Sequence, residues 1–111
     1  MERNLVRSTI VPSSSLEGKE YYAVKVDGAL TSSAGDAVYG IVERGRPAGE
    51  PSVVVVSGEY WAYVGENVSA GDWLTGGADG KLVKATAGTN YACAIALESA
   101  SADNLCRVMI R

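Results

Sequence analysis

Turn-forming residues interrupt this chain every ~8–12 residues, and that spacing is what most limits its fold. Gly, Ser, Thr, Asn and Asp supply the interruptions. The runs between them, such as "YYAVKV", "SVVVV", "ACAIAL" and "LCRVMI", are rich in Val, Ile and Tyr. Such runs favour strands, because β-branched and aromatic side chains pack well on a pleated surface. No segment carries about 11 residues of i, i+3, i+4 apolar periodicity free of Gly or Pro, so no amphipathic helix is expected. With 47% hydrophobic residues there is enough apolar material for a core. The expectation is an all-β domain, a small β-barrel or β-sandwich of about 7–9 short strands.

Residues 1–18 read as an extended N-terminal arm, and residues 19–111 as the β domain. "VPSSSLEG" is polar and turn-prone, and Pro12 lacks the N–H that a regular ladder needs. "EYYAVKVDG" (20–28) alternates, with Tyr22, Val24 and Val26 on one face and Tyr21, Ala23 and Lys25 on the other. "DAVYGIVE" (36–43) is mostly apolar, which suits a strand buried on both faces. "SVVVVSG" (52–58) is a strong strand, and "EYWAYVGE" (59–66) either continues it past Gly58 or returns as a hairpin. Ala70-Gly71-Asp72 forms a turn feeding a strand at 73–75. Asp79-Gly80 marks a two-residue hairpin leading into a strand at 81–85. Strands at 91–98 and 105–111 close the chain. "GIVERGRPAGEPSVVVV" (40–56) aligns without gaps on "AIALESASADNLCRVMI" (94–110). Each copy is strand, loop, strand, so 36–43 should pair with 52–56 as 91–98 pairs with 105–110.

Histidine is absent, which removes the commonest general base and metal ligand. Cys93 and Cys106 cannot complete a four-ligand zinc site without it, and they read as free, partly buried thiols. The carboxylates fall in turns and at strand ends, where Asp and Glu are turn formers. "TGGADG" lacks the Lys-Ser/Thr and the helix of a phosphate cradle. Lys81 and Lys84 lack the flanks of a biotinyl or lipoyl lysine. No catalytic, metal or cofactor site is expected. Net charge is −3 and the basic residues are scattered, so nucleic acid is not an expected partner. No apolar run approaches the ~20 residues of a membrane span, and "MERNLVRSTIVPSSS" has no apolar signal core, so the expected setting is cytosolic. Among the aromatics, Tyr60, Trp61, Tyr63 and Trp73 either fill a core that has no Phe or form an exposed patch. Tyr60 and Trp61 are adjacent, so a strand sends them to opposite faces and leaves one of them at the surface or at a subunit interface. A free-standing ligand- or carbohydrate-binding module built on Tyr60, Trp61 and Trp73 is the alternative function.

The order of "AVYGIVERG", "SVVVVSG", the aromatic strand, "SAGDWL", "ADGKLV", "AIALESAS" and the terminal "VMI" resembles the tailed-phage capsid decoration proteins, also called capsid cement or head-stabilisation proteins. The resemblance spans residues 36–111. The family often has Gly where Ala94 stands. The resemblance implies a structural virion protein with no active site. It would be assembled in the host cytoplasm and bind the major capsid protein on the outer surface of the head, commonly as a homotrimer. On this reading Arg3, Leu5, Val6, Arg7, Ile10 and Val11 of the arm are the candidate capsid contacts, by strand addition. Tyr60, Trp61 and Trp73 are candidate interface aromatics.

Overall fold

The computed structural model describes residues 3–86 and 92–110. Eight strands form one sheet: β1 (Arg3–Ile10), β2 (Ala23–Val24), β3 (Gly40–Arg44), β4 (Ser52–Tyr63), β5 (Trp73–Gly76), β6 (Leu82–Lys84), β7 (Ala94–Ala96) and β8 (Leu105–Ile110). A single 3-10 turn, Ala78–Gly80, is the helical element among the described residues.

β4 is the longest strand. It starts on four valines and runs straight on through Gly58, whose φ of 113° suits a residue without Cβ. Val55 pairs with Arg7 of β1 and with Ile41 of β3. Glu59 pairs with Arg3 of β1 and with Met109 of β8. A strand has two edges, so β1 lies along one of them, and β3 then β8 succeed each other along the other. The sheet continues from β8 through β7 and β5 to β6. A parallel bridge from Leu82 to Val64 brings β6 back to the end of β4. The Gly65 N–H donates to the Leu82 carbonyl there, at 2.8 Å. The result is a nearly closed antiparallel barrel, which leaves few open sheet edges.

Alternation fills the barrel. Tyr60, Ala62, Leu74, Leu82, Ala94, Ala96, Cys106 and Val108 point inward and are buried. Removing a leucine such as Leu82 from water is worth about 1.5–3 kcal/mol. A second core lies on the other face of the β2–β3–β4 region: Leu16, Val24, Val42 and Val54, with Ile10, Leu30 and Tyr39 against them. Gly40, Ile41 and Val42 are all buried because this part of the sheet is covered on both sides.

The two aligned halves do pair as expected, β3 with β4 and β7 with β8. The alignment sets residue 40 on residue 94, an offset of 54. That offset carries Ile41↔Val55 onto Ile95↔Met109 and Val42↔Val54 onto Ala96↔Val108.

Several expectations are corrected. A free extended arm at residues 1–18 is not evident. Residues 3–10 are a full strand on β4, and Ile10 and Leu16 help to fill the second core. Pro12 ends the ladder, buried against Gly28, and does not interrupt it. The strand expected at 20–28 shrinks to Ala23–Val24. Tyr21 has φ 73°, and a turn closes from Lys25 to Gly28, so Val26 is thrown into solvent. β3 begins at Gly40, four residues later than expected, because Tyr39 instead donates its N–H to the Val24 carbonyl. The hairpin at Asp79-Gly80 exists, but Gly76 pairs with Leu82, so its loop is longer than two residues. Thr31 holds that loop: its hydroxyl donates to the Gly77 carbonyl at 2.7 Å, and its own carbonyl accepts from the Gly80 N–H at 2.9 Å. The first residues of the strand expected at 91–98 touch position 91, outside the described residues.

Gly45 is the tightest backbone approach. A Cβ there would lie 1.7 Å from the Leu16 carbonyl oxygen, backbone against backbone. Leu16 cannot yield, because its N–H is bonded to the Arg46 carbonyl at 2.9 Å and its side chain is in the core. Gly45→Ala is expected to cost about 2–3 kcal/mol. Thermal unfolding should show a midpoint lower by roughly 10–20 °C for a domain of this size. A midpoint within a degree or two of wild type would mean this packing is looser than the geometry says.

Candidate interaction surfaces

The ionisable side chains are engaged in structure. Lys81 donates to Asp103 at 2.8 Å, and that hydrogen bond raises its pKa. Asp36 accepts from the backbone N–H groups of Ser32 and Ser33 at 2.8 and 3.0 Å, and these bonds hold its pKa below the usual value. Asp72 accepts from the Ser69 N–H at 2.9 Å, closing the turn expected at Gly71-Asp72. Among the described residues no group of three or more His, Cys, Asp or Glu is placed to hold a metal ion. Both thiols are free. Burial pushes the Cys93 thiol up to about 11, and burial followed by the Glu98 charge raises Cys106.

What the fold does offer is surface. Directly paired residues on neighbouring strands share a face. Trp73, Ile95, Met109 and Glu59 therefore form one row across β5, β7, β8 and β4 on the outside of the barrel. Arg107 and Trp61 form the next row, and Leu105 and Tyr63 the third. Trp73 is 45% exposed, Leu105 39% and Met109 38%. Tyr22 covers the Tyr63 ring, centroids 4.8 Å apart. At the centre stands Arg107. Its backbone N–H donates to Glu98 at 3.0 Å, while its side-chain Nε is buried with no hydrogen-bond partner among the described residues. Leaving a buried donor unsatisfied costs about 1–3 kcal/mol, so such a group calls for an acceptor.

A second surface is β1. Among the described residues its strand partner is β4, and its other edge faces away from that pairing. Val6 is 53% exposed, and Val11, just past the strand, is 63% exposed. Leu5 and Ile10 instead pack against the two cores. Arg7 bonds Glu43 in a two-pronged pair at 2.6 and 3.1 Å. Arg3 stands opposite Glu59.

The three aromatics named from sequence are thus separated. Tyr60 is in the core, 2% exposed, with its ring 5.4 Å from that of Tyr21. Trp61 is half-buried on the outer face, edge-on to Tyr60. Trp73 lies two strands beyond β8. An open pocket of about 360 Å³ is lined by Lys25, Val26, Asp27, Ala37, Val38 and Tyr39, and holds none of the three. Sequence reasoning missed Arg107, Met109 and Leu105. The available signal was that β8, "LCRVMI", is largely apolar on both alternating faces, whereas a barrel strand with a bare outer face alternates with polar residues.

A family model described as phage cement protein matches residues 3–111. The chain belongs to the phage cement protein family. This cement protein is therefore a structural component of the phage head and not an enzyme. Its fold is shared with the N base of the head fibre protein gp8.5 of bacteriophage phi29, with a TM-score of 0.67. The two are 18% identical over 96% of this chain and 94% of that one, a likeness of fold. No curated protein sequence matches the chain. The family match starts at residue 3 and so takes in β1, outside the span of the motifs read from sequence.

Burial keeps the Cys93 thiol largely protonated. With a pKa near 11, about one Cys93 molecule in a thousand is thiolate at pH 8. A thiol-specific disulfide reagent is expected to label native protein at least a hundredfold more slowly than urea-unfolded protein. Rapid stoichiometric labelling of the native protein would show that Cys93 is not buried as described.

Proposed function

We propose that this cement protein binds the outer surface of a tailed-phage capsid, contacting the major capsid protein, and stabilises the head lattice as an assembly of three copies. The family match across residues 3–111 carries the reading. The fold suits it: a nearly closed barrel resists deformation, and identical weak contacts repeated over a lattice add up through multivalency. β1 is the capsid-facing element. Its outer edge offers backbone donors and acceptors to an extended capsid segment, and Val6 and Val11 offer apolar contact beside it. Arg3 and Arg7, also candidates from sequence, lie along the same strand. Leu5 and Ile10, also candidates from sequence, serve by holding β1 on the barrel. A ligand-binding module on Tyr60, Trp61 and Trp73 finds no support in a geometry that buries the first and separates the other two.

Deleting residues 1–18 would strip both cores, so point variants are the sharper probe. Val6→Asp combined with Val11→Asp is expected to leave the melting temperature within about 3 °C of wild type, since both side chains are exposed. Co-sedimentation with expanded capsids of the cognate phage should show at least a tenfold loss of affinity. Unchanged affinity would remove β1 from the capsid contact. Absence of any capsid binding by wild type would overturn the cement reading itself.

A further inference from the structure

We infer that the outer face around Arg107 is where copies of this chain pack on one another, with Arg107 of one copy bonding Glu59 of the next. The inference rests on the three-copy reading and names the face that builds it. Interface centres are enriched in Trp, Met and Arg, and this face sets Trp61 and Met109 beside a single arginine, with Trp73 two strands further along the Met109 row. The Arg107 Nε is already desolvated and lacks an acceptor among the described residues, which makes the face incomplete. The complementary carboxylate is on the same face. Glu59 pairs with Met109 and lies two residues before Trp61, the partner of Arg107. The face thus holds both the donor and the acceptor that a contact between copies needs.

In the three-copy assembly the pair joins copies head to tail around the three-fold axis. Each copy gives its Arg107 to one neighbour and its Glu59 to the other, a heterologous contact that closes into a ring when the rotation fits. Three such pairs close a three-copy ring around the apolar centres. The capsid contact does not compete for this face. β1 and β8 lie on opposite edges of β4 at Glu59, so the outer edge of β1 points away from β8.

Light scattering on size-exclusion peaks of the full chain at tens of micromolar tests this. Wild type is expected at three-copy mass. Arg107→Glu and Glu59→Arg should each weaken association at least tenfold and elute as monomers with a cooperative thermal transition. The double swap should recover the three-copy mass, which mere damage to folding would not allow. Should Arg107→Glu fail to fold, Met109→Asp on the same face is the second variant, and its monomeric elution supports the inference. Three-copy mass retained by Arg107→Glu or by Met109→Asp overturns the face while leaving the assembly reading intact. A monomeric wild type that still binds capsids overturns the inference and the three-copy state together, but not the cement function.

Discussion

β4 is hydrogen-bonded along both of its edges, and this double pairing sets most of the remaining geometry. Val54 and Val55 sit between β1 and β3, and Glu59 sits between β1 and β8. Four valines in a row suit that place, because a strand with neighbours on both edges and packing on both faces has no polar side to show. Gly58 lets the strand continue while its partner on one edge changes from β3 to β8. From that switch the chain builds a closed barrel on one side and a smaller, two-sided sheet on the other. The separation of the buried residues into two cores follows directly.

What could be read in the sequence was whatever local chemistry dictates. The all-β class followed from turn spacing, and the shared register of β3–β4 and β7–β8 from the alignment of two apolar strand–loop–strand units. Gly71-Asp72 and Asp79-Gly80 announced their corners because their side chains fit the backbone there. The N-terminal strand was hidden because it packs on both faces: Leu5 and Ile10, of opposite parity, reach the two cores on opposite sides of the sheet, so no single apolar face marks it. The strand at 20–28 was overestimated because Tyr21 adopts a positive φ that nothing in an aromatic residue advertises.

The interaction surfaces were half legible. The adjacency of Tyr60 and Trp61 guaranteed that they would part, and they do, Tyr60 inward and Trp61 outward. Which other residues Trp61 would join depended on pairing between strands far apart in sequence. Trp73, Ile95, Met109 and Glu59 come from four strands and meet only in the folded sheet. The absence of histidine, the structural employment of Lys81, Asp36 and Asp72, and the partly buried thiol of Cys93 agree with a protein whose work is adhesion.

The pairing at Glu59 also has a topological side. Arg3, at the start of the first strand, and Met109, near the end of the last, flank this one residue from its two sides. They are therefore separated by two inter-strand spacings, about 10 Å. A linker of a few residues would bridge that gap, and the barrel could then be reopened at a surface loop such as Ala48–Gly49, between β3 and β4 and outside every strand. The order in which the strands are threaded is thus nearly independent of the architecture they build, and a passenger peptide joined at either end would leave the molecule from the same neighbourhood.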